Sequence, residues 1–321
     1  FNVDPIQPQV VDGWVKATGT TLGADDGIGI AAQLAVLSSQ NLSHGKIECL
    51  FTIDEETGLT GAFALEPGFF EGKTLINLDS EDEGELFIGC AGGVDTLATF
   101  NFVKESVPTG HFPIEIRISG LKGGHSGDDI NKGRASANKL LARFLWQTLQ
   151  KYPLRLGRID GGNLRNAIAR EASAVIMVPS ALKESVVIDF NVFRVDVEHE
   201  FADVEPEMNL QLGSTEVPDF VLDAESSKRI IYALQAVHHG VYKMSRRMPG
   251  MVETSTNLAS VKIVSESEIV VTTSQRSDVE YGKEEMAAMV NSVFKLAGAV
   301  NVIHSDGYPG WAPNRDNRRN E

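Results

Sequence analysis

The feature that most constrains this chain is an alternation that runs through residues 14–95. Short, unbroken apolar runs read as strands, stretches with helical spacing lie between them, and the strand-like runs end in acids. Residues 46–56 (KIECLFTIDEE) and 73–85 (KTLINLDSEDEGE) are the two such strands, and residues 27–40 (GIGIAAQLAVLSSQ) are a helix closed by the loop NLSHGK. GLTGAFALEPGFF, residues 58–70, is a helical stretch and turn. Apolar strands without polar alternation are those buried on both faces, and helical crossovers between them predict a mostly parallel α/β sheet.

Beyond residue 96 the texture changes. Residues 111–121 (HFPIEIRISGL) alternate as a half-buried strand does. Residues 170–180 and 184–198 (ESVVIDFNVFRVDVE) are strand-like, and 257–277 read as a hairpin. Amphipathic helices are predicted over 133–152, 223–242 and 283–300. Strands separated by long amphipathic helices imply an α+β layer, in one or two similar halves. The expected division is therefore 1–95, 96–312 and a polar tail at 313–321.

A formal charge of -15 excludes nucleic acid as a partner, because backbone binding needs clustered Lys and Arg. It fits a soluble cytoplasmic protein, or one that gathers cations. No apolar run approaches the roughly 20 residues of a membrane span. The two cysteines, Cys49 and Cys90, sit in apolar runs and are expected as buried free thiols.

Three acidic sites share one context. Asp25 and Asp26 open a helix; Asp54, Glu55 and Glu56 end one strand; Asp79, Glu81 and Asp82 end the next. In an open parallel sheet the carboxyl ends of strands line a common crevice. Carboxylates gathered there repel unless a cation sits between them, and oxygen ligands suit Mg, Ca or Mn, with imidazole shifting the preference to Zn. The plainer alternative is solvated loop acids and helix N-caps. A dinucleotide reading of Gly27-Ile28-Gly29-Ile30-Ala31-Ala32 fails, since two aspartates directly in front would repel a pyrophosphate.

Residues 19–31 (GTTLGADDGIGIA), 52–62 (TIDEETGLTGA) and 75–93 (LINLDSEDEGELFIGCAGG) together resemble the aminoacyl-histidine dipeptidases of the di-zinc aminopeptidase and carboxypeptidase superfamily. The resemblance continues through 120–145, 160–174, 252–261 and 307–314. It implies a zinc-peptidase catalytic domain, a lid and dimerisation domain, a homodimer, and cleavage of Xaa-His dipeptides such as β-alanyl-histidine. By resemblance, Asp25 would bridge two Zn2+ ions, Glu56 and Asp79 would each ligate one, and Glu55 would be the general base; Co2+ or Mn2+ could stand in. His125 would stabilise the oxyanion, Asn166 would hold the substrate, and Arg276 would hold its terminal carboxylate.

The family's two histidine ligands, one in an H-x-D motif upstream and one near the C-terminus, have no counterpart among His44, His111, His125, His199, His238, His239 and His304. The expectation is therefore a central piece with weak zinc binding and impaired activity. The alternatives are an inactive dimerising or peptide-binding module, or a related tripeptidase or deacylase.

Overall fold

The computed structural model describes residues 5–55, 59–80 and 84–313. The chain divides into two compact units, 1–87 and 88–321. The sequence reading sets its first boundary a few residues later, at 95.

In the first unit, strands β1 (Pro8–Val11) and β2 (Trp14–Ala17) form an antiparallel hairpin, turned by Asp12 and Gly13 with positive φ. Helix α1 (Gly27–Ser38) follows where its spacing predicts it, with Asp26 as N-cap. Helix α2 is one turn, Thr60–Phe63. The parallel sheet is where expectation and structure part. Residues 46–53 and 73–78 carry no strand pairing, and every ladder among the described residues is antiparallel. An apolar run forms a doubly buried strand only when neighbours satisfy its N–H and C=O groups on both edges. Without them Ile53, Leu75 and Ile76 stay about three-quarters exposed.

The second unit is built on one nine-stranded antiparallel sheet. Its members are β3 (Gly92–Asn101), β5 (His111–Ser119), β7 (Arg155–Gly161), β9 (Ala172–Pro179), β10 (Asn209–Ser214), β12 (Gly240–Met244), β13 (Val252–Ile263), β14 (Glu268–Ser277) and β15 (Asn301–Tyr308). The order is β10-β5-β9-β7-β13-β14-β3-β15, with β12 also on β13. Two small ladders accompany it: β4 (Lys104–Glu105) with β11 (Val221–Leu222), and β6 (Gly124–His125) with β8 (Ala167–Ile168).

Alternation along β5 sends Ile114, Ile116 and Ile118 into the core and leaves Glu115 and Arg117 toward solvent, where Glu115 accepts from Arg117 and Arg158. Helix α3 (Ala137–Lys151) faces that core with Leu141, Phe144, Leu145 and Thr148. Residues 183–200 overturn the expected strand: they form α4 (Lys183–Glu200), an 18-residue helix. Val186, Phe190, Phe193 and Val197 are spaced for one helical face and are buried, and Phe144 meets Phe190 edge-on at 5.1 Å. The exposed Ile188, Val192 and Val195 filled in the pattern and made it look like a strand.

Helix α5 (Ala224–Ala236) is capped by Asp223, whose carboxylate accepts from Ser226 N–H. Its C-terminal end is held by Lys139, whose ammonium donates to the carbonyls of Leu234, Gln235 and Val237 at 2.8–2.9 Å. Helix α6 (Glu280–Leu296) packs Met286, Val290 and Phe294 inward. Both cysteines are free; Cys49 is half-buried and Cys90 exposed, so the expectation of two buried thiols fails for Cys90.

Candidate substrate site on the polar end of the sheet

The sheet's polar end is written into two strands. Residues 253–257 of β13 and 273–277 of β14 are almost all polar and, apart from Arg276, buried. Period-two alternation sorts them onto two faces. Thr254, Thr256, Gln275 and Ser277 face α6: a methyl placed on Gly282 would lie 2.8 Å from Ser277 Oγ and 2.9 Å from Thr254 Oγ1. They satisfy one another, through Thr254–Ser277 at 2.9 Å, Gln275 Nε2 to Thr256 at 3.2 Å and Thr96 to Gln275 at 2.6 Å. The other face carries two cross-strand rows, Ser255–Arg276–Gly93 and Asn257–Ser274–Asp95.

Two loops cover that second face. One presents His125 from β6. The other, residues 163–167, presents Asn166 just before β8. The β6–β8 ladder sets His125 opposite Ala167, and Ser126 N–H donates to the Asn166 carbonyl at 2.7 Å. Asn257 ties the second loop to the sheet, its Nδ2 donating to the carbonyls of Arg165 and Ala167 at 3.2 and 2.8 Å. Arg165 also reaches Asp95 at 3.1 Å. Asn166, between the two anchored carbonyls, is exposed.

His125 and Arg276 border the same space. A methyl on Gly127 would sit 3.2 Å from His125 Cε1 and 3.6 Å from Arg276 Cδ, so glycine keeps this space open. His125 Nδ1 lies 2.9 Å from Asp128, which leaves Nε2 as the ring nitrogen open to another group. His125 N–H donates to Asp129 at 2.8 Å; Lys132, bonded to the same carboxyl, holds it below the usual carboxylate range. Arg276 Nε is buried and without a hydrogen-bond partner among the described residues. Cys90 lies close enough to feel Arg276: packing raises its thiol pKa although part of the residue is open to solvent, and the guanidinium pulls the other way.

Of the seven expected site residues, His125, Asn166 and Arg276 are thus brought together on the second unit. Asp25, Glu55 and Asp79 lie on the first unit, all exposed. Asp26 is committed to capping, its Oδ1 accepting from Gly29 N–H at 2.9 Å. Asp25, joined to it by a cis peptide bond, keeps an uncommitted carboxylate among the described residues. Glu56 lies outside the described residues. Among the described residues no three His, Cys, Asp or Glu side chains stand close enough together to hold a metal ion. The sequence reading missed Asp128, Asp129 and Asn257. The first two follow His125 directly in GGHSGDD, and an acid three residues after a candidate histidine is a usable signal. Asn257 needed the sheet register.

Known proteins place this arrangement in a class. Residues 116–203 match the family model described as a peptidase dimerisation domain. The chain is 42% identical over 313 residues to the cytosol non-specific dipeptidase of Escherichia coli (strain K12), covering 98% of this chain and 64% of that protein. It is 43% identical to aminoacylhistidine dipeptidase from Vibrio alginolyticus, whose crystal structure it matches with a TM-score of 0.84, again over 98% of this chain and 64% of that one. A 70-residue stretch is 43% identical to peptidase T of Escherichia coli O1:K1 / APEC, 21% of this chain and 17% of that protein. The chain is thus a peptidase relative with a dimerisation domain. Within that class it is similar to the aminoacylhistidine dipeptidases, and it spans 64% of the length of each of the two dipeptidases it matches. No helix among the described residues is long and apolar enough to cross a membrane.

Proposed function

We propose that this chain serves zinc-dependent hydrolysis of Xaa-His dipeptides, β-alanyl-histidine among them, in the cytoplasm. The observation that carries the reading is Arg276: a half-buried guanidinium whose Nε has no hydrogen-bond partner among the described residues, beside His125 and near the Asn166 loop. A dipeptide's terminal carboxylate supplies the missing acceptor, and the planar fork suits it. Asn166 offers an exposed amide to the peptide group. The doubly protonated ring of His125, held at Nδ1 by Asp128, can donate from Nε2 to a carbonyl oxygen as charge develops on it.

Asp25, Glu56 and Asp79 are the proposed metal ligands. Their chemistry fits a divalent ion, and Asp26 rather than Asp25 does the capping, so the Asp25 carboxylate is uncommitted among the described residues. Zinc, when bound, polarises the scissile carbonyl and brings a water's pKa toward ~7; Co2+ or Mn2+ could do the same. Glu55 would take the proton from the attacking water and pass it to the leaving amine. The matched dimerisation domain includes α4, whose exposed Ile188, Val192 and Val195 support a homodimer.

The test is histidine release from β-alanyl-histidine by the purified chain with zinc added. The expected result is turnover that a chelator abolishes and that Glu55→Gln lowers by roughly 10²–10⁴-fold without loss of dipeptide binding. Dipeptide binding without zinc-dependent turnover would favour a second reading, a peptide-binding and dimerising module. That reading is favoured by the location of His125, Asn166 and Arg276, all within the second unit.

A further inference from the structure

Glu205 is a carboxylate only 3% exposed, and no cation pairs with it among the described residues. Burying an unpaired charge is costly unless hydrogen bonds meet it. Here two do. Oε2 accepts from Lys122 N–H at 2.8 Å, and Oε1 accepts from Ala135 N–H at 3.0 Å. Those residues are the entry and exit of the loop that carries His125. Glu205 sits just past α4, where its own N–H donates to the Phe201 carbonyl at 2.9 Å, and α4 is anchored by Phe193 and Val197. One side chain therefore spans both ends of a 14-residue loop and refers it to the helical core.

The loop's remaining hydrogen bonds run within it or to residues 166–170: the β6–β8 ladder pairs Gly124 with Ile168 and His125 with Ala167, and Ser126 N–H donates to the Asn166 carbonyl. Arg134 donates to the Gly123 carbonyl at 2.6 Å and pairs with Asp129 at 3.2 Å, and Arg170 holds the Leu121 carbonyl at 2.9 Å. None of these links the loop to α4. We propose that Glu205 is a positioning residue: its carboxylate clamps the ends of the 122–135 loop and thereby fixes where His125 stands. The role rests on reading His125 as a substrate-contacting group. A carboxylate is the right group, because it offers an acceptor to each N–H with no donor of its own. Glutamine turns an N–H toward one of the two donors. Aspartate is one methylene too short to reach both.

The experiment is imidazole NMR of the whole 321-residue chain, with His125→Gln to assign the His125 ring signal. Glu205→Gln is compared with Val186→Ala, a buried control in the first turn of α4, at the end of the helix remote in sequence from Glu205. The expected result is a displaced or broadened His125 ring signal in Glu205→Gln with the other six histidines unmoved, and at least tenfold faster amide exchange at Lys122 and Ala135. Val186→Ala leaves both readouts as in the parent. An unmoved His125 signal in Glu205→Gln, or equal displacement in the control, overturns the proposal. Should Glu205→Gln not fold, the parent decides: the Lys122 and Ala135 amides must exchange at least tenfold more slowly than that of Lys132, and equal rates overturn the clamp. Adding β-alanyl-histidine to the parent tests the site reading separately. If it leaves His125 unperturbed, that reading falls while the clamp result stands.

Discussion

Arg276 is the residue on which the substrate assignment turns. A guanidinium holding a carboxylate through paired, charge-assisted hydrogen bonds contributes about 1.5–3 kcal/mol. Arg276→Ala should therefore weaken β-alanyl-histidine binding by roughly 10- to 150-fold, with little change in melting temperature, as calorimetric titration and thermal unfolding would report. Arg276→Lys should recover only part of the loss, since an ammonium keeps the charge and not the fork. At the same scale, His239 makes a pH prediction. It accepts from Leu258 N–H at 3.1 Å, and burial, reinforced by the nearby Lys139 charge, pushes its pKa down to about 3. The unfolded chain takes up this proton near ~6.5 while the folded chain does not, so stability is full above that pH and falls below it. From pH 6.5 to 5 the loss is about 2 kcal/mol. His239→Gln should flatten this part of the stability profile; an unchanged slope would remove His239 as its cause. His125, Asn166 and Arg276 could be nominated from the sequence because each sits in a long motif that carries the family resemblance; their roles are those proposed above. Glu205 could not be nominated: nothing in FADVEPEM distinguishes a buried loop clamp from a solvated acid.

Among the elements, the loop at 163–167 depends on the sheet beneath it. Asn257 is 1% exposed and donates to two backbone carbonyls of the loop, those of Arg165 and Ala167. Asn257→Ala should cost about 1–3 kcal/mol, the loss of two hydrogen bonds made by a buried amide, and should speed amide exchange across 163–167 more than elsewhere. Gly162, at φ +63°, leads into this loop, and a methyl there would overlap the Ala259 carbonyl oxygen. Gly162→Ala should be the more damaging change, because the clash is with backbone that has no room to rotate. Strands β5 and β9, the β13–β14 hairpin and three of the long helices were readable in the sequence, whereas β3, β7, β10, β12 and β15 were not. Two errors have the same physical root. Residues 184–198 carry apolar residues on both the buried and exposed sides of α4, which erases the 3.6-residue rhythm. The runs at 46–53 and 73–78 have strand-like composition without strand partners. Composition reports burial preference; pairing is decided by what lies alongside.

For the whole molecule, the charge of -15 and the apolar stripe on α4 point to self-association through a patch in an otherwise acidic surface. Ile188→Asp combined with Val192→Asp should shift a dimer toward monomer in sedimentation equilibrium while leaving far-UV dichroism unchanged; an unaltered mass would place the interface elsewhere. The central claim, that the polar end of the large sheet holds a dipeptide by its terminal carboxylate, is tested most directly by comparing β-alanyl-histidine with its C-terminal amide. Calorimetric titration of the parent chain and of Arg276→Ala gives four affinities. The account predicts that the parent binds the acid at least tenfold more tightly than the amide, and that Arg276→Ala binds both equally weakly. Equal binding of acid and amide by the parent, or a preference that survives in Arg276→Ala, would contradict it.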